Sequence, residues 1–171
     1  MSERTGTGTA RATQGEKLIR TIVRRPQPMT KESFAPSGEM ISERGPVELD
    51  INGGCPTVLV QTVEHHEMTF DFLGRHLRTE QVFSPLGSAH AVIAVAPPNQ
   101  DGKIELKKLM AFMVDGKAAY KLHKGTWHTS AFPIDERASF LVVEREGTLE
   151  EDYELRDLKT VHGVVVAIQH E

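Results

Sequence analysis

The stretch "LMAFMVDGKAAYKLHKGTWH", Leu109 to His128, decides the fold. It holds two short apolar runs separated by Asp115-Gly116, a pair that predicts a hairpin because glycine tolerates the positive φ a tight turn demands, and it ends in an alternation that places Trp127 and His128 on opposite faces of a strand. The same punctuation continues outward. "TVLVQTV" (57–63), "MTFDF" (68–72), "AHAVIAVA" (89–96) and "SFLVVE" (139–144) are apolar runs of strand length bounded by Gly, Pro, Asn or Asp. In "MTFDF" the strict alternation predicts one face for Met68, Phe70 and Phe72. Several short strands at this spacing predict an all-β barrel or sandwich. Asn99 to Gly102 predicts a further turn after Pro97 and Pro98.

Helix is confined to short pieces. Thr30 predicts a cap for one turn containing Ser33 and Phe34, stopped by Pro36 and Gly38. The acidic stretch "EGTLEEDYELRDL" (146–158) predicts a solvated helix capped by Thr148. "GVVVAIQ" (163–169) is β-branched and apolar, which predicts a strand buried on both faces or lying at a subunit contact.

The chain of 171 residues suits one domain with a core of its own. Residues 1–17 are polar and small, predicting a disordered tail, and residues 18–171 the folded domain. Twenty Lys and Arg against 24 Asp and Glu give −4 with no long basic run, which speaks against nucleic acid or an anionic membrane as partner. The apolar runs are too short to span a bilayer and the first residues lack a secretory core. One cysteine, Cys55, forms no internal disulfide. A cytoplasmic protein acting on small molecules is expected.

His76, Glu80 and Gly87, followed later by Gly125 and His128, fit the two signatures of a cupin, a His…Glu…Gly segment and a Gly-x-x-His segment. Gly74 stands where that pattern has an additional His, His123 where a Pro opens the second turn, and Phe132 where an Asn closes it. Further matches run in order through "MTKESFAPSGEMI", "RTEQVFSPLG", "AVIAVAPP", the quoted 109–128 stretch and "FLVVEREG". Taken together the chain resembles the ureidoglycolate lyase family, also called ureidoglycolate hydrolase, of the cupin superfamily. One segment departs from it. Where the family continues past Asn-Gly into cationic positions, this chain reads Gly53-Gly54-Cys55-Pro56 and has Gln61 near the second of them.

The resemblance implies a cupin-like antiparallel barrel, or jelly roll, with a few short helices. It also implies a homodimer, for which the C-terminal strand offers β-addition. The implied activity is that of a carbon–nitrogen lyase splitting ureidoglycolate into glyoxylate and urea, in purine and allantoin nitrogen catabolism. A cupin enzyme acting on another hydroxy or keto acid, or a non-catalytic acid-binding module, is the alternative.

On an uninterrupted strand His76 and Glu80 would be about 13 Å apart, so "LRT" is expected to turn the chain between adjacent strands and bring both side chains into the barrel. His128 faces them from the opposite sheet, with Thr126 and Ser130 sharing its inward side and Trp127 packed away. Glu80 or His128 then moves protons, and His76 orients the substrate. Lys124 holds the acidic substrate's carboxylate from the turn it shares with His123, and Phe83 and Pro85 shape the mouth. In the competing scheme His76, Glu80 and His128 hold a divalent metal ion, which excludes Glu80 as a free base; no organic cofactor is implied. His65 and His66 alternate, so at most one could enter the barrel, and the rim is expected for both. His90, His162 and His170 are expected to be structural or exposed. Cys55 has no adjacent base and is not expected to be a nucleophile.

Overall fold

The structure is a computed structural model that describes residues 18–170. The expectation for residues 1–17 lies outside them. Strands dominate, in three layers. A five-stranded sheet is ordered Gly38–Ile41, Ala119–Leu122, Gln81–Pro85, Arg137–Arg145, Pro56–Glu64. It faces a seven-stranded sheet running Tyr153–Asp157, Phe72–His76, Trp127–His128, Ala91–Ala96, Met110–Val114, Pro26–Pro28, with Phe132–Pro133 also paired to Ala91–Ala96. A three-stranded sheet, Arg20–Arg24, Val164–Ile168 and Thr69–Phe70, covers the far side. The architecture is all-β, as expected, with the two main sheets facing each other as open ladders that do not close into a barrel.

The apolar patterns explain the layering. Ile93, Val95, Phe112 and Val114 from the seven-stranded sheet interlock with Tyr120, Leu122, Phe140 and Val142 from the five-stranded one. Phe34 completes this core, packing edge-on against Phe112 and Tyr120. On the other side of the middle sheet Ala94, Ala96, Leu73 and Trp127 meet Val164, Val166 and Leu158. Ala91–Ala96 is therefore buried on both faces, which is why "AVIAVA" shows no polar alternation.

Three local expectations are met by named contacts. Thr30 accepts from the Ser33 backbone amide, with the Ser33 side chain returning the contact, so the Lys31–Phe34 turn carries a capping box. Gly116 and Gly102 both have positive φ in their turns. Trp127 is fully buried away from the cavity described below.

Others need correction. "MTFDF" is broken at Asp71: Phe70 pairs with Val166 in the small sheet, whereas Phe72–His76 belongs to the seven-stranded one, leaving Phe72 exposed. Asp115-Gly116 joins strands of different sheets instead of a paired hairpin, and so does "LRT", because Phe72–His76 and Gln81–Pro85 lie in opposite layers. The acidic stretch is one turn, Thr148–Glu151, followed by the Tyr153–Asp157 strand; Gly147 at φ 70° takes the cap position, and Thr148 lies inside the turn, buried. The C-terminal strand runs between Arg20–Arg24, which pairs with all of it, and Thr69–Phe70, which pairs with Val166 and Ala167, so little of either edge is left for β-addition.

Candidate functional site

Between the facing sheets lies a cavity of about 430 Å³. His76, at the end of its strand, and His128, at the end of the short Trp127–His128 strand, enter it from the seven-stranded sheet. Their rings are tilted by 33° with centroids 5.8 Å apart. The Nδ1–H of His128 donates to the Thr126 carbonyl at 2.9 Å; a carbonyl only accepts, so this contact fixes the tautomer and leaves Nε2 as the basic nitrogen. Burial pushes the His128 pKa down to about 4, helped by the neighbouring His76, and its imidazole is neutral at ordinary pH. His76 is also held below the usual histidine value by burial, against the opposing pull of Asp152. Its Nδ1 is 3.1 Å from the Thr148 hydroxyl. Thr148 thus seats a site imidazole, and the sequence had suggested no more for it than a helix cap.

The carboxylate of the site is Glu144. Along Arg137–Arg145 the buried positions are Ala138, Phe140, Val142 and Glu144, every second residue, so strand geometry aims Glu144 into the cavity. Gln81, opposite it one step beyond the Val143–Val82 ladder pair, donates from Nε2 to Glu144 Oε2 at 2.6 Å. Burial raises the Glu144 pKa above the ordinary glutamate value, with the Gln81 contact opposing. Alternation in "ASFLVVE" is the signal that would have found it.

Glu80 is placed elsewhere. It precedes Gln81, and since Gln81 is the inward residue, alternation turns Glu80 outward. Its carboxylate meets the buried Lys121 at 3.2 Å, His123 Nδ1 at 3.4 Å and the Asp50 backbone amide at 3.0 Å. Lys124 and His123 sit in this outer network too, Lys124 pairing with Asp50 at 2.6 Å, and neither lines the cavity. Phe83 does line it, stacked on Tyr120 with centroids 5.2 Å apart. Ser130 lines it as well, whereas Thr126 is buried with its hydroxyl donating to the Ser37 carbonyl. His65 and His66 stay outside, His65 against the Pro133 carbonyl and His66 against Phe132.

The expected metal ligands are consequently not assembled. Among the described residues no three His, Cys, Asp or Glu side chains gather in metal-holding geometry. Gly74, cross-strand neighbour of His128, gives a reason. A Cβ there would fall 2.3 Å from the Tyr153 ring, so the space that the cupin pattern gives to its additional His is filled by an aromatic side chain. The donor set does not fit a resident divalent ion, and no step below is routed through one.

A family model described as ureidoglycolate lyase matches residues 54–166. The chain belongs to the ureidoglycolate lyase family. A ureidoglycolate lyase of Pseudomonas savastanoi pv. phaseolicola is 32% identical over 141 residues, 71% of this chain and 82% of that one. Another, from Burkholderia mallei, is 28% identical over 141 residues, covering 71% and 81%. Among solved structures, RmlC from Streptococcus suis, in complex with dTDP-D-xylose, aligns with TM-score 0.44 and 7% identity over 66% of this chain and 61% of that one.

Proposed function

We propose that this family member is a carbon–nitrogen lyase that splits ureidoglycolate, a small acidic substrate, into glyoxylate and urea in allantoin-derived nitrogen catabolism. The observation that carries the reading, beyond family membership, is that one cavity holds a neutral imidazole of low pKa and a carboxyl of raised pKa. Carbinolamine cleavage needs that pair. His128 Nε2 takes the hydroxyl proton as the carbonyl forms. The electrons of the breaking C–N bond go to the urea nitrogen, which takes a proton from Glu144. His76, seated by Thr148, hydrogen-bonds the developing carbonyl oxygen. Proton transfers of this kind each contribute about 10²- to 10⁴-fold in rate.

The reading also makes the protein a cytoplasmic homodimer. Support for self-association comes from Pro56–Glu64, the terminal strand of its sheet, which exposes Val58 and Val60 and carries no Lys or Arg. Among the described residues nothing pairs with the outer side of this strand, and an apolar edge of this length is what a second copy pairs with. Among the described residues no helix is long and apolar enough to cross a membrane.

The test is urea release from racemic ureidoglycolate above the spontaneous rate, with His128→Ala as the comparison. Expected is catalysis by the wild type and a loss of about 10²-fold or more in the variant. No excess urea from folded wild-type protein overturns the proposal.

A further inference from the structure

A site built for an acid normally meets its carboxylate with a lysine or arginine. The lining here is different. Among the described residues no Lys or Arg lines the cavity; Lys121 and Lys124 are turned outward into the pairs with Glu80 and Asp50. The acidic group in the lining is the Glu144 carboxyl, which repels an anion whenever it is ionised. Gln61, whose cross-strand partner Phe140 shares its inward face, offers a neutral amide where a cation could have stood. Around the mouth, in the single chain, Leu59, Val60, Leu149 and Tyr153 are apolar and partly open to solvent, at 39%, 59%, 63% and 45% exposure. Deeper in, Phe83, Ile93 and Phe140 continue the apolar wall. Desolvating a carboxylate against such a wall without a cation is unfavourable, whereas desolvating an alkyl group there is favourable.

We infer that the cavity accepts uncharged N-(1-hydroxyalkyl)ureas, adducts of urea with an apolar aldehyde, at least as well as the acidic ureidoglycolate. This rests on the proposed carbinolamine chemistry and assigns its substrate class. The reaction balances without any co-reactant. The hydroxyl proton passes to His128, the oxygen lone pair closes the C=O bond, the C–N bond breaks toward nitrogen, and Glu144 supplies the proton that makes urea. The aldehyde leaves with its alkyl group unchanged.

The experiment measures kcat/KM by urea release, above the spontaneous rate, for ureidoglycolate and for N-(1-hydroxy-2-methylpropyl)urea with the full-length chain. The expected result is a value for the neutral compound equal to or above that of the acid. A neutral compound turned over 100-fold less efficiently than ureidoglycolate overturns the inference and leaves the lyase reading standing. Failure to cleave either overturns the lyase reading, and the inference with it. Gln61→Arg, checked for an unchanged melting temperature, is expected to shift the preference at least tenfold toward the acid, since it adds a bidentate donor at the inward position. An unshifted preference in that folded variant counts against Gln61 as the specificity position.

Discussion

Glu144→Gln separates the proposed acid from its surroundings. Glutamine has nearly the same volume, and its carbonyl oxygen can accept from Gln81 Nε2 as the carboxylate does at 2.6 Å. Packing around Phe140 and Val142 is therefore kept. What disappears is the proton for the departing urea nitrogen. Loss of a general acid is worth about 10²- to 10⁴-fold, or about 3–5 kcal/mol at 1.36 kcal/mol per decade. In the wild type the protonated form of Glu144 is lost as pH rises through its raised pKa, so kcat declines on that alkaline side. The acid side is set by His128, whose protonation near pH 4 removes the base. The variant should keep the acid limb and lose the alkaline one. Stability moves in a matching direction. A folded-state pKa raised by burial means that the native protein holds its proton to higher pH than the unfolded chain, so stability falls as pH rises through that window. The melting temperature of Glu144→Gln relative to wild type should consequently increase from pH 5 to pH 8. The assay is the pH profile of kcat by urea release, with melting curves on the same samples. A kcat within threefold of wild type and an unaltered alkaline limb would refute the assignment.

Thr148→Val removes the hydroxyl that seats His76 and leaves a buried imidazole nitrogen without that partner; kcat should drop by about tenfold and stability by about 1–3 kcal/mol, with Thr148→Ser restoring most of both. Glu80→Gln should act on stability instead of chemistry, lowering unfolding free energy by about 1–3 kcal/mol through the buried Lys121 while kcat of the folded protein stays within twofold, and a selective loss of kcat would return Glu80 to the site. Lys124→Ala should leave KM for ureidoglycolate unchanged, because Lys124 pairs with Asp50 outside the cavity; a KM rise of fivefold or more would contradict this placement. Exhaustive chelation should leave activity intact, and activity lost to chelator but recovered with a divalent ion would show that the ligands assemble in a way the Tyr153-filled pocket does not provide.

The reach of the sequence is clear from particular residues. Period-two alternation separated Trp127 from His128 correctly, and the capping chemistry of Thr30 is local, so both were legible without tertiary information. Sheet membership was not. A turn such as Leu77–Thr79 or Asp115-Gly116 has the same residue chemistry whether the next strand pairs with the last or crosses to the facing layer, and only packing across the core chooses. That ambiguity misplaced Glu80: a hairpin would have returned it toward His76, while the crossing hands the inward position to Gln81. Glu144 was legible in principle, as an acid continuing the buried series Ala138, Phe140, Val142. Thr148 was not, since its role depends on a contact across 72 positions of chain.

The proposed proton acceptor and proton donor ride on separate slabs. His128 is fixed to one sheet and Glu144 to the other, and the gap between them is held open by the side chains filling the core, Ile93 and Phe112 from one side and Phe140 from the other. The protein's interior therefore acts as a spacer gauge for its chemistry. Trimming Phe140 to leucine removes no polar group yet should change the thickness of the gauge, so hydrophobic residues with no chemistry of their own are expected to act as tuning screws for the proposed reaction.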